Sequence, residues 1–247
     1  MFPQKKQDII DVRPDEKLDV KKVAAFLKDK LDGADQPLTV RQFGGGAANL
    51  TYLLMFGDDY EYVLRRPPLG PIAPSAHDMA REYKVLSVLH KVFPYAPRAF
   101  LFSDDEDIVG APFLVMERRY GTVVRRTIPD HYANLDDAPQ KLSEALIDAL
   151  ADFHAVDYSA LGLDDLGKPD GYIERQIEGW YRRWHRAKLD DNRWMDTAYD
   201  WLSKNIPVTM ASTLVHNDYK LDNMMFADDD PSKMIAIFDW DMCTLGD

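Results

Sequence analysis

The chain has 247 residues, 46% of them hydrophobic and 29% charged, the composition of an ordinary globular protein. Its formal net charge of −12 argues against nucleic acid or an anionic membrane as the main partner, because both attract basic surfaces. A single cysteine, Cys243, excludes an intrachain disulfide; with no apolar run near the ~20 residues of a membrane span and no apolar leader in MFPQKKQDIIDVRPDEK, a cytoplasmic protein is expected.

Residues 1 to 16 are polar and without period, an expected extended lead-in. From Leu18, apolar residues at Val20, Val23, Ala24, Leu27 and Leu31 have helical spacing, and Gly33 is a natural stop. Leu38 to Phe43 and Asn49 to Phe56 read as strands on either side of Gly44-Gly45-Gly46-Ala47-Ala48, and Gly57 to Tyr60 turns into a third strand, Glu61 to Arg66. Small residues let backbone N–H groups approach phosphate oxygens closely, and would equally serve a flexible hairpin tip. Asn49 sits where it could contact a phosphate or simply end the turn. Period-two alternation puts Val63 and Arg65 on one face of the third strand and Arg66, a rival cation, on the other.

Pro67 to Pro74 is too proline-rich for regular structure. A helix is expected from about Ser75 to Lys91, with Met79, Tyr83, Leu86 and Leu89 as its apolar residues; in a kinase a strand cation pairs with a helix Glu, and Glu82 would be that partner for Arg65. The plainer alternative for that pair is a surface ion pair worth ~0–1 kcal/mol. Two more strands, Arg98 to Phe102 and Pro112 to Met116, flank the acidic turn Asp104 to Asp107. Ala138 to Val156 is helical by spacing, and His154 at its end reads as a core histidine. Tyr172 to Lys188 reads as a core helix whose solvated face carries Arg182, Arg183 and Arg186; reception of an anionic substrate is the alternative. Trp194 to Asn205 is a third helix.

The stretch from Leu214 to Asp241 holds most of the chemistry. His216 to Asn223 has the spacing H-x-D-x-x-x-x-N, that of the catalytic loop of protein-kinase-type phosphotransferases, in which the Asp takes the proton of the attacking hydroxyl and the Asn holds Mg²⁺. A β-hairpin follows, Met224 to Phe226 and Met234 to Phe238 around a polar turn, and it ends in Asp239-Trp240-Asp241. Mg²⁺ prefers hard oxygen ligands and commonly takes one or two carboxylates plus substrate phosphates. Asp218 is therefore expected as the base, Asn223 and Asp239 as metal ligands, Asp241 as a supporting group or the ligand of a second metal, and His216 as a brace for the loop. Asp and Asn are common in turns; what singles these out is their joint order with the flanking apolar runs.

The segments FGGGAANLTYLL, YVLRRPP, REYKVLSVL, FLVMERRYG, ALADFHAVD, LVHNDYKLDN and IFDWDMCTLGD, in that order, resemble the aminoglycoside phosphotransferase and choline kinase group of small-molecule kinases. More narrowly, from about Leu38 onward the chain is similar to the phosphotransferase portion fused to some acyl-CoA dehydrogenases and to its stand-alone bacterial relatives. The resemblance implies an α+β, protein-kinase-like fold of two lobes. Residues 1–117 would form a nucleotide-binding lobe with a five-stranded antiparallel sheet and a helix; residues 118–247 would form a mainly helical catalytic lobe, incomplete here because the family continues with further helices that build much of the acceptor pocket. Arg65, braced by Glu82, would stand where a kinase carries its phosphate-binding lysine, and Gly44, Gly45, Gly46 and Asn49 would cover the phosphates. Met116 and Glu117 would form the hinge whose backbone binds the adenine edge. Arginine for lysine is a departure: it keeps the charge and can grip phosphate bidentately, but is bulkier. The glycines also depart from G-x-G-x-x-G. The implied reaction uses ATP and Mg²⁺ and moves the γ-phosphoryl group to a hydroxyl of a small molecule, a hydroxy acid or hydroxyacyl thioester. The alternatives are a catalytically inactive nucleotide-binding module with the same fold and a metal-dependent hydrolase.

Overall fold

Alternation along two strands decides which face of the sheet becomes core and which becomes cleft. The structure, a computed structural model, describes residues 9–45, 49–68, 77–133, 135 and 137–247. In chain order its elements are β1 (Ile9–Ile10), α1 (Val20–Leu27), β2 (Leu38–Phe43), β3 (Leu50–Phe56), β4 (Tyr60–Arg66), α2 (Met79–Leu89), β5 (Ala99–Ser103), α3 (Glu106–Val109), β6 (Phe113–Glu117) and β7 (Thr122–Val123). There follow α4 (Asp130–Ala133), α5 (Ala138–His154), α6 (Tyr172–Ala187), α7 (Arg193–Lys204), β8 (Thr213–Val215), β9 (Met224–Ala227), β10 (Asp230–Ile237) and β11 (Thr244–Gly246), with short 3₁₀ turns at Leu221–Asn223 and Trp240–Met242. By internal contacts the chain forms two compact units: residues up to Asp152 together with Asp218–Met242, and Phe153–Asn217 together with Cys243–Asp247.

The first unit is built on an antiparallel sheet in the order β1-β2-β3-β4-β6-β5. Even-numbered residues of the central strands (Tyr52, Leu54, Phe56, Tyr62, Leu64) share a face with Phe113 and Val115 of β6, and bury it against Val23 and Leu27 of α1. Each such side chain fully withdrawn from water contributes about 1.5–3 kcal/mol before entropy is counted. The odd-numbered residues Thr51, Val63 and Arg65, with Met116 of β6, are left for the opposite face, where they line a cleft. That face is otherwise covered by α2, which packs against β5, β6 and the Trp240–Met242 turn. Asp78 caps α2, its Oδ1 accepting from the Arg81 amide at 2.9 Å.

Six strands form this sheet where five were expected, because Ile9–Ile10 of the polar lead-in pairs with Phe43 and Gln42 as an edge. The lead-in is held further by Arg13, whose amide donates to Gln42 Oε1 at 3.0 Å. Helix α1 is shorter than its spacing predicts: it stops at Leu27, Asp29 takes a positive φ of 65°, and Leu31 is buried from a turn instead. Ser75 and Ala76, the expected start of α2, lie outside the described residues. The hairpin β9–β10 forms as expected and gains a third strand, β7, through Thr122↔Phe226 and Val123↔Met225. Tyr132 OH donates to the Ala227 carbonyl, and Thr122 Oγ1 to Asp228 Oδ1 at 2.7 Å.

In the second unit β8 pairs with β11, Leu214 opposite Leu245. Helices α6 and α7 form a hairpin joined by the stacked rings of Tyr181 and Tyr199, 3.8 Å apart. Tyr181 OH donates to Asp196 at 2.7 Å and Tyr199 OH to Glu178 at 2.5 Å. The expected core stripe of α6 is not core: neither α6 nor α7 buries a residue, and Trp180, Trp194 and Trp201 are exposed. A helix stripe becomes core only when a second apolar layer covers it, and α6 packs mainly on α7 through this tyrosine stack. His154 is likewise exposed, not a core residue; the neighbouring Phe153 takes the buried position. Among the described residues no helix is long and apolar enough to cross a membrane.

Candidate active site

The cleft of the first unit encloses about 400 Å³, within the range of small-molecule sites. Its apolar walls come from Phe43, Val63, Met116, Met225 and Phe238, and its polar groups from the glycine turn, β4 and the catalytic loop. Gly44 and Gly45 form the turn that leaves β2; Gly46 lies outside the described residues. Gly45 lines the cleft, and a Cβ there would stand 2.8 Å from Cζ of Arg125, so the close approach of that guanidinium requires glycine.

At the inner end of the cleft the buried guanidinium of Arg65 bridges two acids. Nη1 contacts Glu82 Oε1, and Nη2 donates to Asp239 Oδ1 at 2.6 Å. Asp241 lies close by, off the cleft wall, with its Oδ2 at 3.4 Å from Asn49 Nδ2 and 3.9 Å from His77 Nδ1. Asn49 also reaches Asp239 Oδ1 at 3.4 Å. Three carboxylates thus surround one arginine. Burial pushes Glu82 up to about 7; Arg65 pulls it down, and Asp239 and Asp241 add to the rise. Burial also raises Asp241, with Asp239 reinforcing it. Burial alone would lower Arg65, but the three acids together raise it, so it stays charged. Asp239 holds this position at a positive φ of 69°, a conformation that non-glycine residues adopt at a cost and that clusters at functional sites.

In the loop from His216 to Asn223, Asn223 donates through Nδ2 to the Asp218 carbonyl at 3.0 Å and to its Oδ2 at 2.8 Å. Lys220 Nζ lies 2.8 Å from the same Oδ2, and that bond raises the lysine pKa. Committing Nδ2 to Asp218 leaves Oδ1 as the Asn223 atom able to face a cation. The Phe238 amide donates to the Asn223 carbonyl at 2.8 Å, which ties the end of the hairpin, and Asp239 after it, to the loop. His216 is buried just past β8. Met116, opposite Val63, and Glu117, opposite Tyr62, end β6; the Glu117 amide is committed to the Arg98 carbonyl at 2.8 Å.

The cleft therefore brings together Gly45, Asn49, Arg65, Met116, Glu117, Asp218, Asn223 and Asp239, with Glu82 behind Arg65. Lys220 also lines the cleft, and its place between Asp218 and Asn223 is a signal in the sequence; Arg118 and Arg119 follow directly on the hinge residues Met116 and Glu117, whereas Arg125 reaches the cleft through tertiary structure. Among the described residues no group of three or more His, Cys, Asp or Glu is arranged to hold a metal. One carboxylate, Asp239, and one amide, Asn223, suit a Mg²⁺ that draws its remaining ligands from phosphates and water.

An antiparallel sheet with a glycine turn, a buried Arg–Glu pair on the neighbouring strand and helix, and an acidic hairpin sharing one cleft defines the kinase-like class of phosphotransferases. The chain belongs to the phosphotransferase enzyme family, whose sequence pattern matches residues 39–247. It is 33% identical over 245 residues to acyl-CoA dehydrogenase family member 11 of Rattus norvegicus, covering 97% of this chain and 31% of that protein. It is 34% identical over 223 residues to the probable acyl-CoA dehydrogenase IBR3 of Arabidopsis thaliana, covering 84% of this chain and 26% of that one. The chain thus spans less than a third of the length of these relatives. Among solved structures, a candidate aminoglycoside phosphotransferase from Ralstonia eutropha superposes with a TM-score of 0.78 at 31% identity, covering 93% of this chain and 67% of that one. The streptomycin–ATP ternary complex of APH(2″)-IIa shares the fold, with a TM-score of 0.60 at 18% identity over 94% of this chain and 74% of that one.

Proposed function

We propose that this chain is an ATP- and Mg²⁺-dependent kinase that moves the γ-phosphoryl group to a hydroxyl of a small molecule, a hydroxy acid or hydroxyacyl thioester. The observation that carries the reading is that Asp218, Asn223, Arg65 and Asp239 line one cleft together with Gly45 of the glycine turn. Phosphoryl transfer asks for positioning and charge neutralisation more than covalent chemistry. Asp218, whose Oδ2 is held by Asn223 and Lys220, would accept the proton of an acceptor hydroxyl. Arg65, held by Glu82, orients nucleotide phosphates. Asn223 Oδ1 and the Asp239 carboxylate would hold Mg²⁺, which supplies a bridge between phosphate oxygens when bound. The apolar walls Val63, Met116 and Phe238 suit an adenine, with hinge carbonyls as acceptors.

The test is Mg²⁺-dependent ATP turnover against hydroxy acids and hydroxyacyl thioesters, comparing the wild type with Asp218→Ala. Turnover that disappears in the variant is expected. The second reading, a nucleotide-binding module without turnover, is favoured by Arg65 standing in ion pairs with both Glu82 and Asp239. It would show nucleotide-induced stabilisation in both forms and no turnover in either. Phosphate release from esters without ATP would instead mark a hydrolase.

A further inference from the structure

The cleft is lined by five cationic side chains, and four of them have an acidic partner. Arg65 pairs with Glu82 and Asp239, Arg118 lies 3.6 Å from Glu61, Arg119 is 3.0 Å from Glu117, and Lys220 is 2.8 Å from Asp218. The fifth, Arg125, makes no ion pair or hydrogen bond among the described residues. Its position is nevertheless set from two sides. It lies two residues beyond Val123, which pairs with Met225 of the catalytic hairpin, and its guanidinium lies over Gly45, where a Cβ would come within 2.8 Å of Cζ. The side chain thus leaves a segment anchored near the hairpin and ends at the glycine turn, in the same cleft as Asp218. Its neighbour Arg126 is also exposed and does not line the cleft. A planar fork of N–H donors with no internal acceptor matches the geometry of a carboxylate or phosphate.

We propose that Arg125 is an oxyanion-binding residue of the cleft, seated against Gly45 to grip either a phosphate of the nucleotide or the acidic group of the acceptor. The proposal deepens the phosphotransferase reading and takes its two anion sources from it. If the source is the nucleotide, Arg125 closes the turn over the phosphates. If the source is the acceptor, Arg125 selects acidic acceptors and presents their hydroxyl to Asp218. Either way, a neutral isostere of the ligand gains nothing from it.

The experiment compares the wild type with Arg125→Ala, Arg125→Lys and Arg126→Ala. The nucleotide arm measures binding of ATP and of adenosine by calorimetry, without acceptor. The acceptor arm measures KM and kcat for a hydroxy acid and for its neutral amide. A hydrogen-bonded charge pair of this kind is expected to be worth about 10-fold or more. Arg125→Ala should weaken ATP but not adenosine, or raise KM for the acid but not the amide, by about that factor. Arg125→Lys should recover part of the loss and Arg126→Ala should cause none. Equal weakening of charged and neutral ligands, no weakening of either, or the same loss in Arg126→Ala would overturn the proposal. The two readings fail separately. Loss of ATP over adenosine with no turnover on any acceptor would keep Arg125 and remove the kinase. Asp218-dependent turnover indifferent to Arg125 would do the reverse.

Discussion

Arg65 and Arg66 are consecutive, both buried, and face opposite sides of the sheet. Arg66, on the core face, is satisfied by neutral groups: Tyr52 OH at 2.8 Å, the Glu16 carbonyl at 3.1 Å and the Val109 carbonyl. Arg65, on the cleft face, is surrounded by Glu82, Asp239 and Asp241, more negative charge than one guanidinium balances. A buried cation whose donors all meet acceptors is a satisfied part of the core. One outnumbered by carboxylates marks a place where another cation or a change of protonation would relieve the imbalance. The cleft face is accordingly the expected seat of chemistry and the core face that of stability.

The largest effect expected on the cleft face is from Asp218→Asn. If Asp218 is the base, turnover should fall by about 10²–10⁴-fold while the melting temperature stays within a few degrees. An unchanged rate would dissolve the distinction between the faces. On the core face, Arg66→Met should cost about 1–3 kcal/mol in urea unfolding, because it strands the buried Val109 carbonyl and leaves the Tyr52 hydroxyl and the Glu16 carbonyl only their 2.7 Å bond to each other. Turnover per folded molecule should hold, and a proportionate loss of kcat would show that the core face reaches the chemistry.

Glu82→Gln sharpens the comparison through pH. Because its folded pKa is raised from 4.5 to about 7, Glu82 contributes most to stability below pH 4.5, and that contribution is lost as pH rises through about 7. The stability gap between wild type and variant should therefore shift in the variant's favour by about 3 kcal/mol across that window. A gap that does not move with pH would mean that Arg65 alone balances the site. The smallest effect is expected from Gly45→Ala, which forces the Arg125 guanidinium aside and should weaken whichever anion Arg125 grips, ATP or the acidic acceptor, several-fold, about 1 kcal/mol. In combination with Arg125→Ala the two losses should not add; strict additivity would separate the turn from the arginine.

Local spacing carried the cleft face further than the rest. Asp218 and Asn223 are joined by a single short turn, so their meeting is a matter of a few backbone angles. Arg65 and Glu82 lie on adjacent elements whose faces alternation and helical period specify. Arg125 was beyond reach for the opposite reason: its contact with Gly45 depends on β7 pairing with β9, about a hundred residues later in the chain. The pairing of β8 with β11 and the edge strand Ile9–Ile10 were missed on the same grounds, since two or three residues show no period. Helix α6 misled because its aromatic stripe is real, but a stripe says what a helix can bury and not whether anything buries it.

Trp240 carries a practical consequence. It is fully buried, packs edge-on against Phe93, donates through Nε1 to the Ile237 carbonyl at 2.8 Å, and stands between Asp239 and Asp241 with its amide 3.4 Å from Glu82. Trp180, Trp194 and Trp201 are open to solvent. In the presence of a collisional quencher such as iodide the surviving emission should therefore come from this indole and the half-buried Trp184, and with Trp184→Phe the remaining native indole becomes an optical gauge of what enters beside the acidic pair.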